Sequence, residues 1–258
     1  MPSWDPAVYG TYAAQRGRPF HELLARVPAT GPEYVVDLGC GDGPLTATLA
    51  QRWPSATVLG IDSSPDMLTK AADYADGARI SFAAGDITTW RSSRPVDVLV
   101  ANAALQWVPG HLSLLPRLVD SLAPGGYLAV QVPGNFDAPS HVLLADLCRS
   151  PRWGDRLAAV AERPRSAQPE DYLWALSEAG CSVDAWETTY QQVLQGEDPV
   201  LGWTRGTALR PILDSLTPEE QPEFVATYAA ALRTAYPRRS YGTVFPFRRI
   251  FAVAQRPA

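Results

Sequence analysis

The segment DLGCGDG, residues 37–43, is where this chain concentrates residues able to do chemistry. Glycines at 39, 41 and 43 let a backbone turn tightly and approach a ligand with no Cβ in the way. Asp62 lies 25 positions beyond Asp37 and closes a second apolar run, where a carboxylate can accept both hydroxyls of a ribose. A glycine-rich turn, a helix start and an acidic strand end together describe a nucleoside site. A dinucleotide fingerprint would read G-x-G-x-x-G, whereas the register here is G-x-G-x-G with Pro44 where the last glycine would fall. Asp37, in the loop approach, would repel a pyrophosphate and suits an ammonium group.

These residues need elements to position them. YVVDLG (34–39) is a short β-branched run ending in glycine and predicts a buried parallel strand. Residues 44–53 follow as a helix, with proline at a good first position and Leu45, Leu49 and Trp53 at helical spacing. The pattern continues with a strand over 56–62, a serine-capped helix over 63–75, strands over 79–86 and 96–102, and a helix over 111–122. A strand over 126–132 comes next, behind the turn APGG. Strands alternating with helices in this way predict an α/β fold with a mostly parallel sheet, whose ligands bind outside the carboxyl ends of the strands. The later chain reads as helices over 139–149 and 169–179, a strand over 181–194, helices within 197–236 and a closing strand over 248–256. One domain over 1–258 is expected, with a ligand-binding core at about 30–135. The helices at about 196–240 form an insertion over the sheet edge, a candidate lid.

Composition excludes several classes. At 258 residues, 46% hydrophobic, the chain can bury a sizeable core and is not wholly disordered. With 22 basic and 27 acidic residues its net charge of −5 argues against binding a nucleic-acid backbone, though not against a small anion met by a few cations. Lys70 is the only lysine, which suits a GC-rich coding bias. Cys40, Cys148 and Cys181 are odd in number and far apart, and His21, His111 and His141 have no ligand spacing, so neither a disulfide framework nor a metal site is expected. No signal-peptide or membrane-span pattern appears, and the expectation is a cytoplasmic protein whose oligomeric state the sequence leaves open.

The D-x-G-x-G-x-G pattern resembles the first motif of class I S-adenosylmethionine-dependent methyltransferases. Gly85-Asp86-Ile87 and Asn102-Ala103 follow in the order such enzymes use, the first near the adenine amino group and the second beside the sulfonium. The resemblance implies a Rossmann-like sheet, mostly parallel with a late antiparallel strand, helices on both faces, and S-adenosyl-L-methionine as cofactor. Segments along the chain are similar to a narrower group, the trans-aconitate methyltransferase family. They are W4-D-P-x-x-Y9, R16-x-R18-P19, LQW (105–107), QVPGN (131–135), SEAGC (177–181), TALRP (207–211) and R249-I-F. One departure is the Arg238-Arg239 pair before Tyr241, richer in arginine than the family pattern.

That resemblance implies methyl transfer to a carboxylate of trans-aconitate or a related small polycarboxylate, giving a monomethyl ester. A carboxylate with a pKa near ~4 is already ionised at neutral pH, so no general base is required. The work is alignment and exclusion of water. Cofactor contacts are expected from Arg18 (or Arg16), Asp37, Gly39, Cys40, Gly41, Asp62, Ser63, Met67, Asp86, Ile87, Asn102, Ala103 and Trp107. Substrate contacts are expected from Asn135, His141, Trp203, Arg210 and Arg249, with Trp107, Arg210 and Arg249 positioning the reactants. Arginine forks suit carboxylates better than lysine does. Several of these have a plainer alternative: Cys40 as a small loop residue, Asp86 as a turn cap, Met67 and Trp107 as core, His141 as a structural histidine. Two other functions stay open: methylation of another small acid or natural product, and S-adenosylmethionine sensing without turnover.

Overall fold

The computed structural model describes residues 13–161 and 167–258. Helix α1 (Ala13–Ala25) carries Pro19 inside it and leads to β1 (Tyr34–Leu38), α2 (Pro44–Arg52), β2 (Thr57–Asp62), α3 (Pro65–Ala71), β3 (Ile80–Ala84) and β4 (Val96–Asn102). After β4 come short 3-10 turns at Leu105–Trp107 and His111–Leu114, then α4 (Leu115–Asp120) and β5 (Leu122–Pro133). The remainder is α5 (Pro139–Arg149), α6 (Gly154–Ala161), α7 (Pro169–Glu178), β6 (Ser182–Leu194), α8 (Pro199–Arg205), α9 (Arg210–Asp214), α10 (Gln221–Ala235), β7 (Arg238–Arg239) and β8 (Gly242–Gln255). The W4-to-Y9 segment lies outside the described residues.

The sheet runs β3-β2-β1-β4-β5-β8-β6, with β7 on the side of β8. Pairings from β3 through β5 are parallel, and β8 lies antiparallel to β5. This is the expected sheet, mostly parallel with a late antiparallel strand. β1 is buried at every position and β4 at most, as a central strand covered on both faces must be, while β3 at the edge is largely open. On one face Val36, Leu99, Val130 and Ile250 pack under Leu115 and Leu118 of α4 and Tyr172 and Leu176 of α7. On the other, Phe251 stacks on Trp186 at 4.8 Å, and Arg26, just past α1, lies over that indole.

Backbone contacts divide the chain into two compact units. One holds Gly17–Pro133, α7 with β6 as far as Thr188, and Arg249–Ala258. The other gathers α5, α6 and α8 to α10 with the strand ends from Thr189 and up to Arg248. Its core sets Phe224, Tyr228 and Leu232, one face of α10, against Trp153, Leu209 and Phe245. Tyr228 donates to the Ser140 carbonyl at 2.7 Å, and the Ser140 amide donates to the Tyr236 hydroxyl at 3.0 Å.

Several boundaries differ from expectation for physical reasons. The APGG segment is not a turn before the strand, because β5 starts at Leu122 and runs through it with an irregular register opposite Val96–Val98. The helix predicted over 111–122 is a 3-10 turn followed by only six α-helical residues. The serine cap of α3 is Ser64, whose side chain accepts from the Met67 amide at 3.4 Å. The closing strand begins at Gly242, paired there in a hairpin with Arg238-Arg239, and α6 was not foreseen.

Candidate functional site at the carboxyl ends of the strands

The turn after β1 is built around the β2 strand end. The amides of Gly39 and Cys40 both donate to the Ile61 carbonyl, at 2.7 and 3.1 Å. Gly39 has φ +79, and a Cβ there would stand 2.4 Å from the Cβ of Ala104, so only glycine fits. Gly41, at φ +57, has nothing within 4 Å of a Cβ position and faces open space. The Gly41 amide donates to Asp62 Oδ2 at 2.9 Å and the Ser64 amide to Asp62 Oδ1 at 2.9 Å. Asp62 thus ties the glycine turn to the start of α3. Each carboxylate oxygen keeps a further lone pair for an incoming hydroxyl.

Asp37 sits on β1 itself, not in the loop, and is buried. Thr46 Oγ1 on the first turns of α2 donates to Asp37 Oδ2 at 2.6 Å. Burial raises this carboxyl to about 6, opposed by the Thr46 bond and helped by Asp62 nearby. Thr46 was missed by sequence reading; its signal was a buried hydroxyl residue in an otherwise apolar helix face. Cys40 is buried, and burial together with Asp37, Asp62 and Asp42 pushes its thiol far up, so it stays a neutral small residue and no nucleophile.

After β3, Asp86 is exposed and accepts from the Thr88 amide at 2.7 Å and the Thr88 hydroxyl at 2.6 Å; these bonds hold its carboxyl below the usual range. It caps its own turn. Arg117 of α4, also unforeseen, secures the same loop through the Ile87 carbonyl at 2.6 Å and the Thr88 carbonyl. Ile87 packs on the main core and reaches within 3.7 Å of the Cβ position at Gly39. Met67 on α3 is half-buried, and Ser63 is exposed.

After β4 the backbone is strained. Ala103 has φ +53, held by its amide donating to the Gln131 carbonyl at 2.8 Å and by Gln106 Nε2 donating to its carbonyl at 2.6 Å. Asn102 Oδ1 is buried with no hydrogen-bond partner. Trp107 is 43% exposed, which removes the core-packing alternative for it.

Arg18 lies on α1 with an exposed side chain, its Nε 2.7 Å from Glu22 Oε1; of Arg16 only the backbone is described. Arg249 is buried on β8 opposite Pro133. In the helical unit Asn135 is buried, accepts from the Arg248 amide at 2.6 Å and leaves Nδ2 without a partner. His141 opens α5, 3.3 Å from Ser140 Oγ and against Phe136, and Arg210 opens α9, half-buried. Trp203 is buried to 3% and packs against Phe245 and Phe247 at 5.6 and 5.2 Å, as part of the core of the helical unit. Among the described residues no His, Cys, Asp and Glu cluster could hold a metal, all three cysteines are free and buried, and no helix is long and apolar enough to cross a membrane.

The Methyltransferase domain family matches residues 35–126, the stretch that carries the ends of β1 to β4. Along the whole chain the likeness is closer. The trans-aconitate 2-methyltransferase of Streptomyces avermitilis is 54% identical, with 100% of this chain and 98% of that one covered. That of Rhodococcus jostii is 52% identical over 98% and 99%. The chain belongs to the trans-aconitate 2-methyltransferase family. It is therefore an S-adenosylmethionine-dependent methyltransferase of class I. The S-adenosylmethionine dependent methyltransferase of Mesorhizobium loti shares the fold, with a TM-score of 0.51 at 18% identity over 92% of this chain and 97% of that one.

Proposed function

We propose that this protein transfers the methyl group of S-adenosylmethionine to a carboxylate of trans-aconitate, leaving a monomethyl ester and S-adenosylhomocysteine. The observation that supports this is full-length identity of about half with relatives named trans-aconitate 2-methyltransferase. The site fits the cofactor on its own terms. Asp62 is held by two backbone amides with lone pairs to spare, Gly41 leaves an open approach, and Asn102 Oδ1 is a buried acceptor lacking a donor. Asp62 would hold the ribose, Asp86 and Ile87 the adenine and Asp37 the ammonium group, with Asn102 beside the sulfonium. Gly39, Cys40, Ser63, Met67 and Ala103 would line the same cofactor, and Arg18 would meet its carboxylate.

When bound, S-adenosylmethionine supplies an electrophilic methyl on a sulfonium. The substrate oxygen needs no proton removed, so the chain's task is to hold spectator carboxylates and leave the reacting one its charge. Arg210 and Arg249 are assigned to spectator carboxylates by their forked donors, with His141 and Asn135 as further polar contacts. Trp107, exposed after β4, supplies an aromatic face that favours the sulfonium cation. Free buried thiols suit a reducing, cytoplasmic setting.

The test is a methyl-transfer assay with labelled cofactor against a panel of tricarboxylates and dicarboxylates. Transfer to trans-aconitate at least about tenfold above every other acid, a difference of ~1.4 kcal/mol, is expected. Preference for another acid or for an alcohol would replace this reading. Cofactor binding with no turnover on any substrate would make the protein a sensor.

A further inference from the structure

Strand register places a polar row across the middle of the sheet. Asp37 lies level with Val100 of β4, Asn102 is the partner of Gln131, Gln131 the partner of Phe251, and Arg249 the partner of Pro133. Because side chains alternate along strands and partners share a face, Asp37, Asn102, Gln131 and Arg249 all lie on one face. The other face at the same level carries Val130, Val132 and Ile250, which belong to the apolar core. Gln131 is 1% exposed, and its Nε2 has no hydrogen-bond partner. A buried donor left unsatisfied lowers stability, and the fold gains nothing from it that valine or methionine would not supply. The Gln131 carbonyl also holds the strained Ala103 at the end of β4, beside the unpartnered Asn102 Oδ1. Strain and unsatisfied polar atoms gathered at strand ends mark a ligand site.

We infer that Gln131 Nε2 orients the attacking carboxylate of the substrate. This rests on the methyl-transfer reading above. The chemistry asks for a neutral donor at that place. An arginine on the reacting oxygen would draw off the charge that makes it nucleophilic, whereas an amide N–H directs a lone pair and leaves the charge on the oxygen. Arg249, two positions along the partner strand from the residue opposite Gln131, is the cation of the row. A division follows in which the guanidinium neutralises and the amide aims.

The experiment compares Gln131→Met, which keeps length and removes the donor, with Gln131→Glu, which keeps shape and adds a repelling charge. For Gln131→Met, kcat on trans-aconitate should fall about 10- to 100-fold, the loss of one hydrogen bond to a charged group, with a smaller change in KM. S-adenosylhomocysteine affinity should stay within about twofold and the melting temperature should hold or rise, since an unsatisfied donor has gone. Gln131→Glu should bind trans-aconitate at least about tenfold more weakly in the presence of S-adenosylhomocysteine, as like charges oppose. A Gln131→Met enzyme within about threefold of the wild-type kcat, beside normal wild-type turnover, overturns this inference and spares the substrate reading. A lower melting temperature together with lost S-adenosylhomocysteine affinity overturns it in favour of a scaffold role. Absence of trans-aconitate turnover by the wild type removes the substrate reading, and the inference with it.

Discussion

Thr46 Oγ1 donates a 2.6 Å hydrogen bond to Asp37 Oδ2, joining α2 to a carboxylate buried on β1. Burial lifts that carboxyl from 3.8 to about 6. A group whose folded pKa lies above its unfolded value favours the fold below the unfolded value and loses that contribution as pH rises through the folded one. The share of stability due to Asp37 should therefore decline between about pH 4 and pH 6 and level off above. Thermal melts across this range should show that slope shrink in Asp37→Asn. An ammonium ligand favours the ionised carboxylate, so S-adenosylhomocysteine should bind more tightly as pH rises through 6 in the wild type and less so in the variant. Identical pH profiles in both proteins reject the role.

Gly39→Ala and Gly41→Ala should behave differently. The first drives a methyl to 2.4 Å from the Ala104 Cβ at a left-handed φ, and should cost several kcal/mol by overpacking and strain, about 2–5. The second meets only a left-handed φ in open space, at about 1–2 kcal/mol. Denaturant midpoints rank the pair; equal losses would contradict the packing around Gly39.

Asp62→Ala removes the acceptor of two loop amides as well as the proposed ribose contact. Cofactor affinity should fall by about 10- to 150-fold or more, from a charge-assisted contact of roughly 1.5–3 kcal/mol. Titration calorimetry with S-adenosylhomocysteine measures it, and unchanged affinity would remove Asp62 from the site.

Arg210→Ala should lower kcat/KM on trans-aconitate by about 2–5 kcal/mol of transition-state binding, with cofactor affinity nearly unchanged. Arg210→Lys should recover only part, because an ammonium lacks the fork. Arg249→Ala is expected to show the same kinetic loss. Near-normal efficiency in both alanine variants would defeat the tricarboxylate reading.

His111 Nε2 and the hydroxyl of Tyr172 on α7 share a 2.6 Å hydrogen bond. Burial lowers the His111 pKa below 6.5. A depressed histidine keeps its contribution above the unfolded pKa and loses it as pH falls through the folded one, so stability should drop below about pH 6.5. Tyr172→Phe strands the buried ring nitrogen and should cost about 1–3 kcal/mol. In His21→Ala and His141→Ala kcat should stay independent of pH near neutrality, since no base is needed, and the lost His141 contact should appear in KM. A steep kinetic loss in either, with both ligands bound normally, would point to a hydroxyl or amine substrate.

Local pattern was enough where an element stands on its own run of residues. VDVLVAN forms β4 over Val96–Asn102 as read, and Pro139 opens α5 with its end at Arg149. Pattern failed where distant partners decide. The APGG segment looks like a turn, yet the pairing of Leu122 with Val96 draws it into β5. The burial of Trp203 is likewise set by phenylalanines more than forty positions later.

The sequence alone determined the α/β alternation, the glycine turn, the acidic ends of β2 and β3, and a full-length family likeness. Each of these is a property of neighbouring residues or of the aligned string. Tertiary structure alone decided which polar groups are satisfied. Thr46 completes Asp37, and Asp62 spends one lone pair per oxygen on backbone amides. Gln131 is left with a bare donor on the sheet face that also carries Asp37, Asn102 and Arg249. Hydrogen-bond satisfaction depends on atoms brought together from distant strands, and burial sets what an unsatisfied one costs, so neither can be read from residue order.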